Sequence, residues 1–195
     1  MNKVAVKAAS ENLKRAETAL HDIEAAQTLA EVETAWSDFL TAAGRVFTKL
    51  EQGAKSNGKS NAWFGRKKHE RRTDPLLQYV HHARNADEHG LAEVTERTAP
   101  ALALGVGPGA WRFDGTVGPE MQMKVTAMGG QVPGKSKFVE VVPSKVRLVK
   151  VIDRGVSYDP PVDPQTKQTL LPNEVAKLAL DYIGRMIQEA GKLPD

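Results

Sequence analysis

The hydrophobic pattern changes its period at Arg97, and that change constrains the fold more than any other feature of the chain. Before it, apolar residues recur every three or four positions. Leu13, Ala16, Leu20 and Ile23 follow Ser10, a residue suited to capping a helix. Thr28-Leu29-Ala30-Glu31 has the spacing of a capping box, and Val32, Trp36, Phe39, Ala43, Val46 and Leu50 then form one apolar stripe. Two helices in an antiparallel hairpin are expected. Asp74-Pro75 marks the start of a third, running to at least His89 and extendable to Glu96.

Beyond Arg97 the segments 99–106, 110–116, 120–127, 137–142 and 145–152 read as strands. Met121, Met123, Val125 and Ala127 alternate with Gln122, Lys124 and Thr126, the period of a half-buried strand. Gly107-Pro108-Gly109, Asp114-Gly115, Gly118-Pro119 and Gly129-Gly130 are expected turns, and Val149 breaks the last alternation, as a bulge would. The proline-rich stretch 159–172 is an irregular connection. Asn173 is expected to cap a last helix with Val175, Leu178, Tyr182 and Met186 on one face. The expected class is α+β: an N-terminal antiparallel helical bundle over 8–97, then an antiparallel β meander plus a C-terminal helix over 98–195.

Composition narrows the chemistry. The 195 residues include no cysteine, which removes disulfides, thiolate metal sites and cysteine nucleophiles. No apolar run approaches a membrane span, and the first residues lack the apolar core of a signal peptide, so a cytoplasmic protein without membrane contact is expected. Net charge is +3, yet residues 55–72 concentrate Lys55, Lys59, Arg66, Lys67, Lys68, Arg71 and Arg72 against Glu70. Gly53 to Asn61 reads as a mobile loop, so the cations lie on an expected basic loop over 53–72. A local patch of this kind suits a polyanion such as RNA. Arg66, Lys67, Lys68, Arg71 and Arg72 would meet phosphates, and Trp63 would stack on a base.

The third helix carries the pattern richest in chemistry. His82, Asn85 and His89 are three and four residues apart and share a face, beside an apolar stripe of Leu76, Tyr79, Ala83 and Ala86. An arginine, a polar neighbour and a histidine five positions after the arginine (Arg84, Asn85 and His89) resemble the signature of the HEPN family, small helical domains that include many ribonucleases. The resemblance spans residues 10–97 at most. It implies a bundle of four or more helices, with residues 63–72 or the C-terminal helix supplying the fourth. It also implies a homodimer with facing motifs, and metal-independent RNA cleavage leaving a 2′,3′-cyclic phosphate. His89 would then move a proton, Arg84 would stabilise charge on the phosphate, and Asn85 would orient one of them. No cofactor and no metal are implied. The setting implied is bacterial defence, toxin action or RNA processing.

Other readings stand beside it. Arg84 can pair with Asp87 or Glu88 on its own helix, and His89, before Gly90, suits a helix C-terminus. His81, His82, Asp87, Glu88 and His89 could ligate a metal, though without an established ligand spacing. Arg154 with Ser157-Tyr158-Asp159 could line a pocket, with no role fixed. The helical half could instead be a non-catalytic module binding RNA or protein, or the chain a small structural protein.

Overall fold

The structure, a computed structural model, describes residues 1–89, 93–105, 110–116, 122–128 and 138–194, with the side chains of His89 and of 101–142 outside that description. In chain order the elements are α1 (Lys3–Ala25), α2 (Leu29–Ala54), α3 (Gly58–Thr73), α4 (Pro75–His89), β1 (Thr95–Arg97), β2 (Ala101–Gly105), β3 (Ala110–Thr116), β4 (Gln122–Met128), β5 (Phe138–Val142), β6 (Val146–Leu148), β7 (Val151–Asp153), β8 (Val156–Tyr158) and α5 (Pro172–Gly191). The class is α+β, as expected. The chain forms two compact units, one of Met1–Thr98 with Lys145–Asp195 and one of Ala99–Ser144. This division differs from the expected 8–97 and 98–195. The reason is α5, whose apolar face is buried with the helices, packing on α1 and α2.

In the first unit α1 and α2 pack side by side. The turn between them is fixed by the expected capping box: the Glu31 N–H donates to Thr28 Oγ1 at 3.2 Å, and the Thr28 N–H donates to Glu31 Oε2 at 3.1 Å. The α2 stripe is core, with Trp36, Phe39, Val46 and Leu50 all at 0% exposure. At its far end the helices approach so closely that a Cβ on Gly53 would collide with the Ala5 methyl. Ser10 does not cap α1. The helix starts seven residues earlier, where Asn2 Oδ1 accepts the Ala5 N–H, and the Ser10 hydroxyl donates to the Val6 carbonyl inside the helix.

Residues 53–61 are not a loop. Only Lys55, Ser56 and Asn57 separate α2 from α3, and Asn57 Oδ1 caps α3 by accepting the Ser60 N–H at 2.8 Å. The bundle therefore gains the helix that the sequence pattern left open, and the basic segment lies on it. Asp74 then starts α4 as its Asp-Pro pair predicts, Oδ1 accepting the Leu77 N–H at 3.0 Å. The helix stops at His89, and Glu96 belongs to β1. On α5 the buried line is Val175, Ala179, Ile183, Met186 and Ala190, while Leu178 points to solvent. Pro172 is the first helical residue, so Asn173 lies inside the helix, and the Leu171 N–H donates to Glu174 Oε2 at 2.7 Å.

Two short antiparallel pairs complete this unit. In β1–β6, Thr95 faces Leu148 and Arg97 faces Val146. In β7–β8, Val151 faces Tyr158 and Asp153 faces Val156. Arg154 and Gly155 turn between them with φ of 53° and 80°, the double positive φ of a tight right-twisting hairpin. The expected strand 145–152 is thus two strands that join different ladders. They part at Val149, whose carbonyl accepts a 2.9 Å hydrogen bond from the buried Tyr79 hydroxyl of α4. That bond and the contact of α4 with β7 fix the helix against the hairpin.

The second unit holds β2 paired with β5, from Ala101–Val142 to Gly105–Phe138, and β3 paired with β4, from Ala110–Met128 to Thr116–Gln122. All four strand pairs among the described residues are antiparallel. The expected meander is absent among the described residues: β3–β4 lies within β2–β5 in sequence, and β2–β5 within β1–β6. Turn residues specify neighbours in sequence and cannot announce a partner about forty residues away, which is why the nesting was invisible. Asp114-Gly115 is not a turn but lies within β3, opposite Lys124 and Met123. The other three expected turns, at 107–109, 118–119 and 129–130, lie outside the described residues.

Candidate active site

The site is built where α4 lies on the β7–β8 hairpin. Asp153 ends β7 with a side chain only 12% exposed. Its Oδ2 sits 2.7 Å from His82 Nδ1 and accepts a 2.8 Å hydrogen bond from Asn85 Nδ2. The three-residue spacing that places His82 and Asn85 on one helix face lets both reach a single carboxylate. These bonds, Asn85 first and His82 second, hold the Asp153 carboxyl below its ordinary range. An ionised carboxylate only accepts, so the His82 proton sits on Nδ1, and in the neutral ring Nε2 carries the lone pair. Nε2 has no hydrogen-bond partner among the described residues.

The Tyr158 ring from β8 lies flat on the His82 imidazole, centroids 3.6 Å apart and planes 9° from parallel. With the Asp153 bond at one edge and Tyr158 on one face, the imidazole has a single orientation. It lines an open cleft of about 830 Å3, together with Arg84, Asn85, Asp153, Arg154 and Tyr158. Arg154 reaches into solvent with 91% of its side chain exposed, and Ile152 and Val156 leave apolar surface at the rim. Asp159 turns away and pairs with Lys150 at 3.1 Å.

Arg84 stands beside this group. Its Nη2 is ion-paired with Glu88, and Nη1 donates weakly to Asn85 Oδ1 at 3.5 Å. Asp87 is not the partner; it accepts the Ser37 hydroxyl of α2. The Arg84 stem lies across α2 at Gly44, where a Cβ would stand 3.2 Å from Nε. Arg84 and Asn85 are therefore brought together with His82. His89 ends α4, and its side chain lies outside the described residues. Among the described residues no three His, Asp or Glu side chains converge as metal ligands.

The basic segment is different from its expectation. Trp63 is 4% exposed and donates through Nε1 to Glu189 Oε2 at 3.0 Å, so its ring packs in the core and is not free to stack on a base. Lys67 is also buried, its ammonium between Glu70 and Glu189 at 3.2 and 3.0 Å. Lys68 pairs with Glu51, and Arg71 lies over the Phe47 ring at 5.0 Å. Arg66 and Arg72 remain exposed.

Sequence reasoning missed Asp153 altogether and gave Tyr158 and Arg154 no role. The signal for a hairpin was present in Asp153-Arg154-Gly155, but nothing local ties it to α4. Set against family models, curated proteins and solved structures, the chain matches none. No described helix is long and apolar enough to cross a membrane.

Proposed function

We propose that this protein is a HEPN-like, metal-independent ribonuclease that works as a dimer in the cytoplasm. One observation carries the reading. Arg84 and Asn85, two of the three residues of the resemblance, line an open cleft with a His82–Asp153 pair whose Nε2 faces no partner among the described residues. In this mechanism His82 Nε2 takes the proton of a ribose 2′-hydroxyl. The 2′-oxygen attacks phosphorus, the bond to the 5′-oxygen breaks, and a 2′,3′-cyclic phosphate is left. Asp153 stabilises the imidazolium that forms, and Asn85 holds Asp153 in place. Arg84 exchanges Glu88 for a non-bridging phosphate oxygen, and Arg154 meets the strand from the rim. A protonated His89 gives its proton to the leaving 5′-oxygen, one of the two transfers, at the 2′-hydroxyl or at the leaving oxygen, that the resemblance allows it. The apolar rim at Ile152 and Val156 offers surface for the second copy.

The test is RNA cleavage in excess EDTA by the wild type, His82→Ala and His89→Ala, with product ends analysed and folding checked by circular dichroism. Cleavage by wild type alone, leaving cyclic ends, is the expected result. No cleavage by folded wild type across structured and single-stranded RNAs overturns it. A second reading, a non-catalytic RNA-binding module, is favoured by the exposed Arg66 and Arg72 and by the Glu88 ion pair that occupies Arg84. It expects salt-sensitive binding without cleavage.

A further inference from the structure

A second, smaller cavity lies on the other side of Arg84, inside the helical bundle. It is bounded by α2, α3, α4 and α5, with Gly44, Phe47, Leu77, Val80, Ala179 and Ile183 supplying most of its wall. Water-sized atoms can centre themselves in about 50 Å3 of it, room for a handful of atoms rather than one water. Three nitrogen-bearing side chains share this space: Arg71 from α3, and His81 and Arg84 from α4.

Their hydrogen bonding is incomplete. Arg84 Nε is buried and has no hydrogen-bond partner among the described residues, which is costly for a charged donor out of water. The Arg71 guanidinium rests on Phe47 but makes no hydrogen bond or ion pair with a described residue. Burial is the main cause that lowers its pKa, so the bundle disfavours its charge without supplying a counter-ion in contact. His81 likewise has no hydrogen bond to a described residue. Burial, then the charge of Arg71, pushes its pKa down to about 4, so at neutral pH it is an uncharged donor. Gly44 keeps the space open, because any side chain there would press on Arg84 at 3.2 to 3.4 Å.

From this arrangement we infer a binding site for a small organic carboxylate, its carboxyl group between Arg71, His81 and Arg84 Nε and its short apolar tail against Phe47, Leu77 and Ile183. The choice of carboxylate over phosphate follows from the walls. Two carboxylate oxygens can be satisfied by the three donor side chains, and the rest of the molecule needs no polar partner. Phosphate would bury four oxygens among the same donors and leave some facing hydrocarbon. The site does not depend on the ribonuclease reading, and its occupant need never enter the larger cleft.

The experiment is calorimetric titration of the full-length protein with isobutyrate, its neutral isostere isobutyramide, and inorganic phosphate. The proposal expects saturable binding of isobutyrate at least about tenfold tighter than of either other probe, the ratio for one charge-assisted bond of about 1.4 kcal/mol. Arg71→Met, which keeps an apolar stem on Phe47, and Gly44→Ala, which fills the cavity while favouring the helix, should each weaken isobutyrate by about tenfold or more. Equal binding of isobutyramide would remove the anion from the proposal. Preference for phosphate would overturn the carboxylate assignment, and absence of binding by all three would overturn the site.

Discussion

Helices α3 and α4 follow one another across a single residue and carry most of the polar chemistry of the bundle, yet they use it in opposite ways. On α3 much of it is spent inside the protein: Lys67 is held by two glutamates, Lys68 by Glu51, and the Trp63 indole N–H by Glu189, while Arg66 and Arg72 stay exposed. On α4 the polar face is turned to an open cleft, and its bonds orient groups without consuming them. After Asp153 has taken one His82 nitrogen, the other has no hydrogen-bond partner among the described residues. The difference teaches that charge density along a sequence is a poor guide to where a partner binds. What matters is whether the fold supplies the counter-charges itself.

The largest expected effect lies on α4. Under the ribonuclease reading, His82→Ala lowers the cleavage rate by about 10² to 10⁴, the worth of a positioned proton-transfer group, with an unchanged circular dichroism spectrum. If the rate holds, α4 is as structural as α3 and the comparison collapses. Next comes Lys67→Met, which leaves Glu70 and Glu189 without their shared cation. It should cost about 1 to 3 kcal/mol in denaturant unfolding while RNA affinity stays the same. A fall in RNA affinity at constant stability would return α3 to the role of a binding surface.

Acid sharpens the contrast further. The carboxyl of Asp153 titrates below its ordinary range in the folded protein, so it contributes stability that is complete above the usual carboxylate range and is lost as pH falls through its depressed value. Asp153→Asn should flatten that part of the acid unfolding profile, measured by fluorescence-detected denaturation from pH 6 to 2, a range chosen at roughly the carboxylate values. Smallest of all is the double variant Arg66→Ala, Arg72→Ala. Both side chains are exposed, so stability should move by less than about 0.5 kcal/mol. If these two cations do meet RNA, the slope of log affinity against log salt falls by about 1.4 for a single strand.

Much of the helical framework was legible before any coordinates. The Thr28–Glu31 box, the Trp36-to-Leu50 stripe and the Asp74-Pro75 start are local signals, each complete within a few residues, and each holds. Helix α3 was not legible because Trp63 and Phe64 are adjacent rather than spaced on a stripe, and because glycine, serine and asparagine at 56–61 resemble a loop. The candidate site was half legible. Arg84, Asn85 and His82 were visible as neighbours on one helix. Asp153 lies 71 residues from His82 in sequence, joined only by the tertiary contact of α4 with β7. The direction of the α3 charges was illegible for the same reason: Glu51 and Glu189 belong to other helices.

The nested strand order has a consequence for the nascent chain. Thr98 and Lys145 are tied by three hydrogen bonds of 2.8 to 3.1 Å, where the helical unit is left and re-entered. As the polypeptide emerges from the ribosome, every strand of the Ala99–Ser144 insert is available before Asp153 or α5 exists. The bundle must therefore wait, with the α1 and α2 surfaces that α5 will cover still bare, until Pro172–Gly191 has been synthesised. A chain truncated after Ser144 would keep every described strand of the insert while its bundle lacked the closing helix.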